Sequence, residues 1–266
     1  MQFEHKEVVA LAIDAGLAIL RIYDSPEPVD VQVKNDDSPL TKADLAAHDV
    51  IVQGLLAISP NVPIVSEEGN VGKPRKSELA WLVDPLDGTK EFIKRNGMFT
   101  VNIALMRREG ERWIPIFGVV HAPVTGTTWF GGTGIPATKT SDHATERISV
   151  NPRHNRPIQL VASGSHRSER DELFASEIGD YDLIRMGSSL KACVVADGSA
   201  DLYPRFGPTS CWDIAAAHAV VESAGGLVLG PDCQTLDYDL VEDVLNPYFL
   251  VTCRTDWNDI WAQNQD

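Results

Sequence analysis

The chain has 266 residues, 43% of them hydrophobic and 23% charged, the balance of a globular protein with a sizeable core. A formal charge of −15 argues against nonspecific binding to nucleic acid or to an anionic membrane surface. It leaves room for a small anionic ligand, because a metal ion or a few local Arg and Lys residues reverse the field within one cleft.

Residues 4 to 23 place Val8, Leu11, Ala12, Ala15, Ile19 and Ile22 at three-and-four spacing, which predicts an amphipathic helix. The same stretch is too polar and too regular for a signal peptide. No run approaches the ~18 apolar residues of a membrane span, so the cytoplasm is the expected location, with peripheral attachment at the inner membrane left open. "SPLTKADLAAHDVIVQGLLAI" predicts a second helix, capped by Thr41 or Ser38 and stopped by Ser59-Pro60. Short β-type segments follow: "VPIVSEE", "AWLVDP", "FTVNIALM", "WIPIFGVVHAP" and "TTWFGG", the last three spaced as an antiparallel meander. The polar stretch "GIPATKTSDHATE", residues 134 to 146, is the expected domain boundary. Beyond it strands and helices alternate: "IQLVASG", "SERDELFASEIG", "YDLIRMG", "SSLKACVVADG", "ADLYPRF", "CWDIAAAHAVVESAGG", then "LVLG" and "YFLVTC". That order is an α/β pattern. Cys193, Cys211, Cys233 and Cys253 form no CxxC pair and are expected to be reduced and mostly buried.

Carboxylates gather at the ends of these elements. Glu67-Glu68 follow "PIVS", Asp84 and Asp87 follow "WLV", Asp44 begins the second helix and Asp213 opens "CWDIAAAHAVV". Two like charges three residues apart at the end of a buried strand call for compensation. Mg²⁺, a hard cation, takes carboxylate and carbonyl oxygens and completes its shell with water and substrate phosphate. Asp84 and Asp87 around Pro85-Leu86 would put two carboxylates and a backbone carbonyl on one side of a turn. Gly88-Thr89-Lys90 read as the first turn of a helix whose free N–H groups suit a phosphate. The plain alternative is a strand-ending turn with Asp87 as helix cap. Glu67 upstream and Asp213 downstream weigh against it. "GNVGKP" lacks the spacing and the Ser/Thr of a phosphate-binding P-loop, and Pro136 interrupts "GTGIPA" where a dinucleotide fingerprint needs a helix.

"VSEE", "WLVDPLDGTKEF" and "CWDIAAAHAVVESAGG" resemble the three signature blocks of the inositol monophosphatase superfamily of Mg²⁺-dependent phosphatases. Within it, "DPLDGTKEFIKRNGMFTVNIAL", "GSSLKACVVADG" and "LYPRFGPTSCWD" are similar to the 3'(2'),5'-bisphosphate nucleotidases of the CysQ type, which act on 3'-phosphoadenosine 5'-phosphate. The resemblance implies a layered αβαβα sandwich, with an N-terminal α+β half at 1–142 and an α/β half at 143–266. It implies two or three Mg²⁺ ions, with Mn²⁺ as a substitute and Li⁺ as an inhibitor. The metal ligands would be Glu67, Asp84, the Leu86 carbonyl, Asp87 and Asp213. Gly88 and Thr89 would hold the scissile phosphate, while Thr89, Asp44 and Glu67 serve catalysis by metal-activated water.

Substrate choice rests on finer marks. Arg205 in "YPRFG" occupies the place where inositol phosphatases carry a Glu, and a guanidinium suits a second phosphate better than a neutral polyol. Lys191, Ser188 and Ser189 in "GSSLKA" and His166 in "GSHRSER" join it as expected substrate contacts. Their plain alternatives are a surface ion pair for Arg205, a solvated helix residue for Lys191 and a cap or surface group for His166. The expected partner is a small nucleotide bisphosphate. An inositol or sugar phosphatase is the runner-up, and an idle nucleotide-binding regulator is the alternative of another class. Monomer and homodimer both remain open.

Overall fold

The structure, a computed structural model, describes residues 4–26, 31–33, 39–141, 144–153, 157–163 and 168–265. The chain begins with helix α1 (His5–Tyr23), a short ribbon of β1 (Val31–Val33) and β2 (Pro39–Thr41), and helix α2 (Lys42–Ile58). Then come β3 (Ile64–Ser66), β4 (Leu79–Asp87), the short helix α3 (Thr89–Ile93), β5 (Thr100–Glu109), β6 (Arg112–Ala122), β7 (Thr127–Gly132), β8 (Ile135–Ser141) and β9 (Ala144–Arg147). The remainder alternates through β10 (Ile158–Ser163), α4 (Glu169–Glu177), β11 (Tyr181–Met186), α5 (Leu190–Ala196), β12 (Leu202–Arg205) and α6 (Cys211–Ser223). It closes with β13 (Leu227–Leu229), β14 (Phe249–Thr252) and α7 (Asn258–Gln263).

Strands β3 to β9 form a seven-stranded sheet in sequence order, antiparallel after the β3–β4 pair. The second sheet has five strands in the order β11-β10-β12-β14-β13. Helices α1 and α2 cover one face of the first sheet, burying Val8, Leu11, Ala12, Ala15 and Ile19 as the helical spacing requires. Helices α5 and α6 lie against each other, α6 touching both sheets and α5 the second. Nine of the eleven residues from Cys211 to Val221 are buried, on every side of the helix, so α6 is a central rather than a surface helix. Helices α4 and α7 pair with each other, Phe174 meeting Trp261 edge-on at 6.1 Å. This is the layered α/β sandwich that the sequence predicts.

Two local expectations change. The polar stretch read as a boundary is the β8–β9 hairpin, which the exposed side chains of 144–147 disguise as a linker because it lies at a sheet edge. The strand expected to end at Asp84-Pro85 instead continues to Asp87. Thr41, rather than Ser38, caps α2, and Ser38 lies outside the described residues. The four cysteines are free, with Cys193, Cys211 and Cys253 buried and Cys233 partly so.

Candidate active site

The continuation of β4 positions the acidic pair. Asp84 is opposite Asn102 and Asp87 opposite Thr100, so three steps on β4 match two on β5. One extra residue is therefore bulged out. In a regular strand, residues three apart point to opposite faces. The bulge returns Asp87 to the face of Asp84. Carboxylate oxygens of Asp84, Asp87 and Asp213 all lie within 4.8 Å of one another. Asp84 is 1% exposed.

Such a trio cannot stay fully ionised alone. Burial first, then the charges of Glu67, Asp87 and Asp213, push the Asp84 carboxyl well above the usual carboxylate range. Burial and the Asp87 charge raise Asp213 to about 8. Asp87 is raised by burial too, but Lys191 and hydrogen bonds from Ser189 and Asn102 oppose the rise. The donor set fits hard divalent cations: oxygen ligands only, clustered and carrying more negative charge than the surrounding cations offset. Glu67 adjoins this trio, hydrogen-bonded through its side chain to Asp84. The Leu86 N–H donates to Asp84 Oδ1 at 3.0 Å, and the Leu86 carbonyl faces the Thr89 hydroxyl at 3.4 Å.

Asp44 divides its two oxygens between structure and site. Oδ2 accepts the Thr41 N–H at 2.8 Å and the Thr41 hydroxyl at 2.6 Å, closing a capping box on α2. Oδ1 accepts the Thr89 hydroxyl at 3.1 Å, across 45 residues of chain. Burial raises its pKa against these bonds, which makes the carboxylate a better proton acceptor. Gly88 starts α3 at φ 95°, and a β-carbon there would meet the Met98 carbonyl at 3.1 Å.

The second half closes over this loop. Ser188 sits at φ 47°, a conformation uncommon outside glycine, and so aims the next N–H inward. Ser189 donates that N–H to Asp87 Oδ2 at 2.6 Å, and its hydroxyl lies 2.7 Å from the same oxygen and 2.6 Å from the Asp213 carbonyl. Asn102 is 1% exposed and donates to Ser189 Oγ at 2.7 Å. The reading of the sequence missed Asn102; a lone amide within the apolar "TVNIALM" was the available signal. The Ser210 N–H donates to Asp213 Oδ2 at 2.9 Å, so α6 begins on its own site residue.

A cavity of about 160 Å³ joins Asp87, Gly88 and Asp213 to Ser188, Lys191 and Arg205. A second, of about 360 Å³, adjoins it and is lined by Glu67, Thr89 and Trp212. Lys191 is 7% exposed, so the solvated-residue alternative fails. Its ammonium donates to the Ser188 carbonyl at 2.6 Å and stands 5.3 Å over the Tyr203 ring. Burial lowers its pKa to about 8, with Asp87 opposing, and the group is mostly charged at neutral pH. Arg205 donates through Nη2 to the Pro208 carbonyl at 3.0 Å, and its buried Nε has no hydrogen-bond partner among the described residues. His166 lies outside the described residues.

A family model described as the inositol monophosphatase family matches residues 3–254. The chain belongs to that family. Among curated relatives, the 3'(2'),5'-bisphosphate nucleotidase CysQ of Salmonella typhimurium is 46% identical over 249 residues, covering 93% of this chain and 98% of that one. The enzyme of the same name from Escherichia coli strain K12 is 46% identical over 248 residues, covering 92% and 98%. Among solved structures, CysQ from Bacteroides thetaiotaomicron, a bacterial member of the family, superposes with a TM-score of 0.78 at 38% identity, covering 94% of this chain and 97% of that chain. The suppressor protein suhB of Bartonella henselae, 22% identical with a TM-score of 0.81, covers 98% of both chains and shares the fold.

Proposed function

We propose that this chain is a Mg²⁺-dependent 3'(2'),5'-bisphosphate nucleotidase, which hydrolyses 3'-phosphoadenosine 5'-phosphate to AMP and phosphate. The observation that carries the proposal is the pairing, in one cavity, of the acidic residues Asp87 and Asp213 with the cations Lys191 and Arg205. One end suits a metal-held scissile phosphate and the other a second phosphate. The names of relatives at 46% identity support the same substrate.

In this reading Glu67, Asp84, the Leu86 carbonyl, Asp87 and Asp213 hold the cations. When bound, divalent ions supply activation of water and charge neutralisation at the leaving oxygen. Thr89 orients the attacking water through its hydroxyl oxygen, whose own proton is directed to Asp44 Oδ1 at 3.1 Å. The carboxylate thereby gives the water's proton a route away from the reacting centre. Gly88 lets the phosphate approach the backbone. Lys191 and Arg205 bind the other phosphate. Ser188 and Ser189 position the pocket, Ser189 by restraining Asp87. Residues 1–142, with the last strand of their sheet, form the half that carries most cation ligands, and 143–266 form the half that adds Asp213 and the substrate cations. We place the enzyme in the cytoplasm, where sulfate assimilation generates its substrate.

The test is a comparison of kcat/KM on 3'-phosphoadenosine 5'-phosphate, inositol 1-phosphate and fructose 1,6-bisphosphate with Mg²⁺. The nucleotide is expected to lead. Higher efficiency on inositol phosphate would sink the nucleotidase reading. Arg205→Glu is expected to impair the bisphosphate far more than 3'-AMP; equal losses would remove Arg205 from the specificity argument.

A further inference from the structure

Glu91 stands where the two cavities meet. Like Gly88, Thr209 and Asp213, it lines both of them. It takes no part in the carboxylate trio. Its side chain is 19% exposed and lies 3.6 Å from Lys94, a loose pair whose other member faces solvent at 53%. The backbone keeps room for it: a β-carbon on Gly187 would fall 3.0 Å from Glu91 Cγ and 2.8 Å from the Met98 carbonyl. A carboxylate so placed is unfavourable beside phosphates unless something donates to it.

A carboxylate accepts hydrogen bonds and cannot donate. A bisphosphate with one phosphate at Gly88 and the other at Lys191 and Arg205 brings the linking sugar to the junction. The sugar donor nearest the scissile phosphate is the hydroxyl on the adjoining carbon. We propose that Glu91 is a specificity-determining residue that accepts a hydrogen bond from the free ribose hydroxyl next to the scissile phosphate. The site thus reads a neighbouring hydroxyl and phosphate together, and rejects a sugar that lacks the hydroxyl. This inference rests on the bisphosphate nucleotidase reading.

The experiment measures kcat/KM on 3'-phosphoadenosine 5'-phosphate and its 2'-deoxy counterpart for the wild type, Glu91→Ala and Glu91→Gln. The wild type is expected to favour the ribonucleotide about ten- to a hundredfold, the scale of one hydrogen bond to a charged group. Glu91→Ala should bring the ratio near unity by losing the ribonucleotide rate. Glu91→Gln, whose amide oxygen still accepts, should keep an intermediate ratio. A merely structural role would lower both substrates equally and leave the ratio unmoved, which overturns the proposal. So does a wild type that turns over both nucleotides without preference. Turnover of neither, with inositol 1-phosphate hydrolysed, would instead defeat the nucleotidase reading and take the Glu91 inference with it.

Discussion

Thr89 is the residue on which the proposed chemistry narrows most. Its hydroxyl has two acceptors in reach, Asp44 Oδ1 at 3.1 Å and the Leu86 carbonyl at 3.4 Å. Donating to Asp44 leaves its lone pairs for a water. Thr89→Val keeps the shape and removes the relay. It should lower kcat by about 10²- to 10⁴-fold, the usual contribution of a positioned proton acceptor, with KM little changed. Steady-state kinetics decide this, and a kcat near wild type would dismiss the Thr89–Asp44 relay. Asp44 was legible in the sequence as a helix-start carboxylate, and the family resemblance paired it with Thr89, but its capping role was not distinguishable there. Both turn out to be true of one side chain, because a carboxylate has two oxygens to divide.

At the level of elements, the bulge in β4 and the seat of α6 set the acidic trio. Strand β6 offers Gly118 to α6 at very close range: a β-carbon there would stand 2.0 Å from the Ala216 carbonyl oxygen. That oxygen belongs to the backbone of the helix that carries Asp213, so relief requires the helix to move. Gly118→Ala should cost about 1–3 kcal/mol, the range for overpacking, and weaken Mg²⁺ binding. Thermal unfolding and a Mg²⁺ titration of the same variant test both halves. Unchanged Mg²⁺ affinity in a destabilised protein would show that Asp213 does not depend on this seat. The helices and most strands were readable from spacing alone, since burial of one face imposes a period. The bulge was not, for Pro85-Leu86 reads equally well as the end of a strand. Nor was the β8–β9 hairpin, whose solvent-facing residues at 144–147 carry no apolar alternation.

Over the whole molecule, Asp84 and Asp87 come from one sheet and Asp213 from the helix layer that contacts both sheets. Cations bound there would join the layers and stabilise the native state by mass action. At about a hundred times Kd, Mg²⁺ should add roughly 2.7 kcal/mol, seen as a rise in Tm. Asp87→Asn and Asp213→Asn should fold, lose activity and lose most of that rise. Glu91→Ala should keep it. Variants of the trio that retained the full Mg²⁺ shift would place the metal elsewhere.

The sequence by itself determined most of the element order, the α/β class and which carboxylates to examine, because short blocks such as "DPLDGTKEF" hold candidate ligands and turns together. It also marked Lys191 and Arg205 as the cations to examine. Only the tertiary structure decided that Asp213 approaches Asp84 and Asp87 to within 4.8 Å, since sequence distance says nothing about which layers pack face to face. It likewise decided that Ser189 and Asn102 restrain Asp87, and that Glu91 borders both cavities. Those contacts arise between segments joined by long connections. Their geometry is set by the packing of two sheets around a shared helix layer, not by any local propensity.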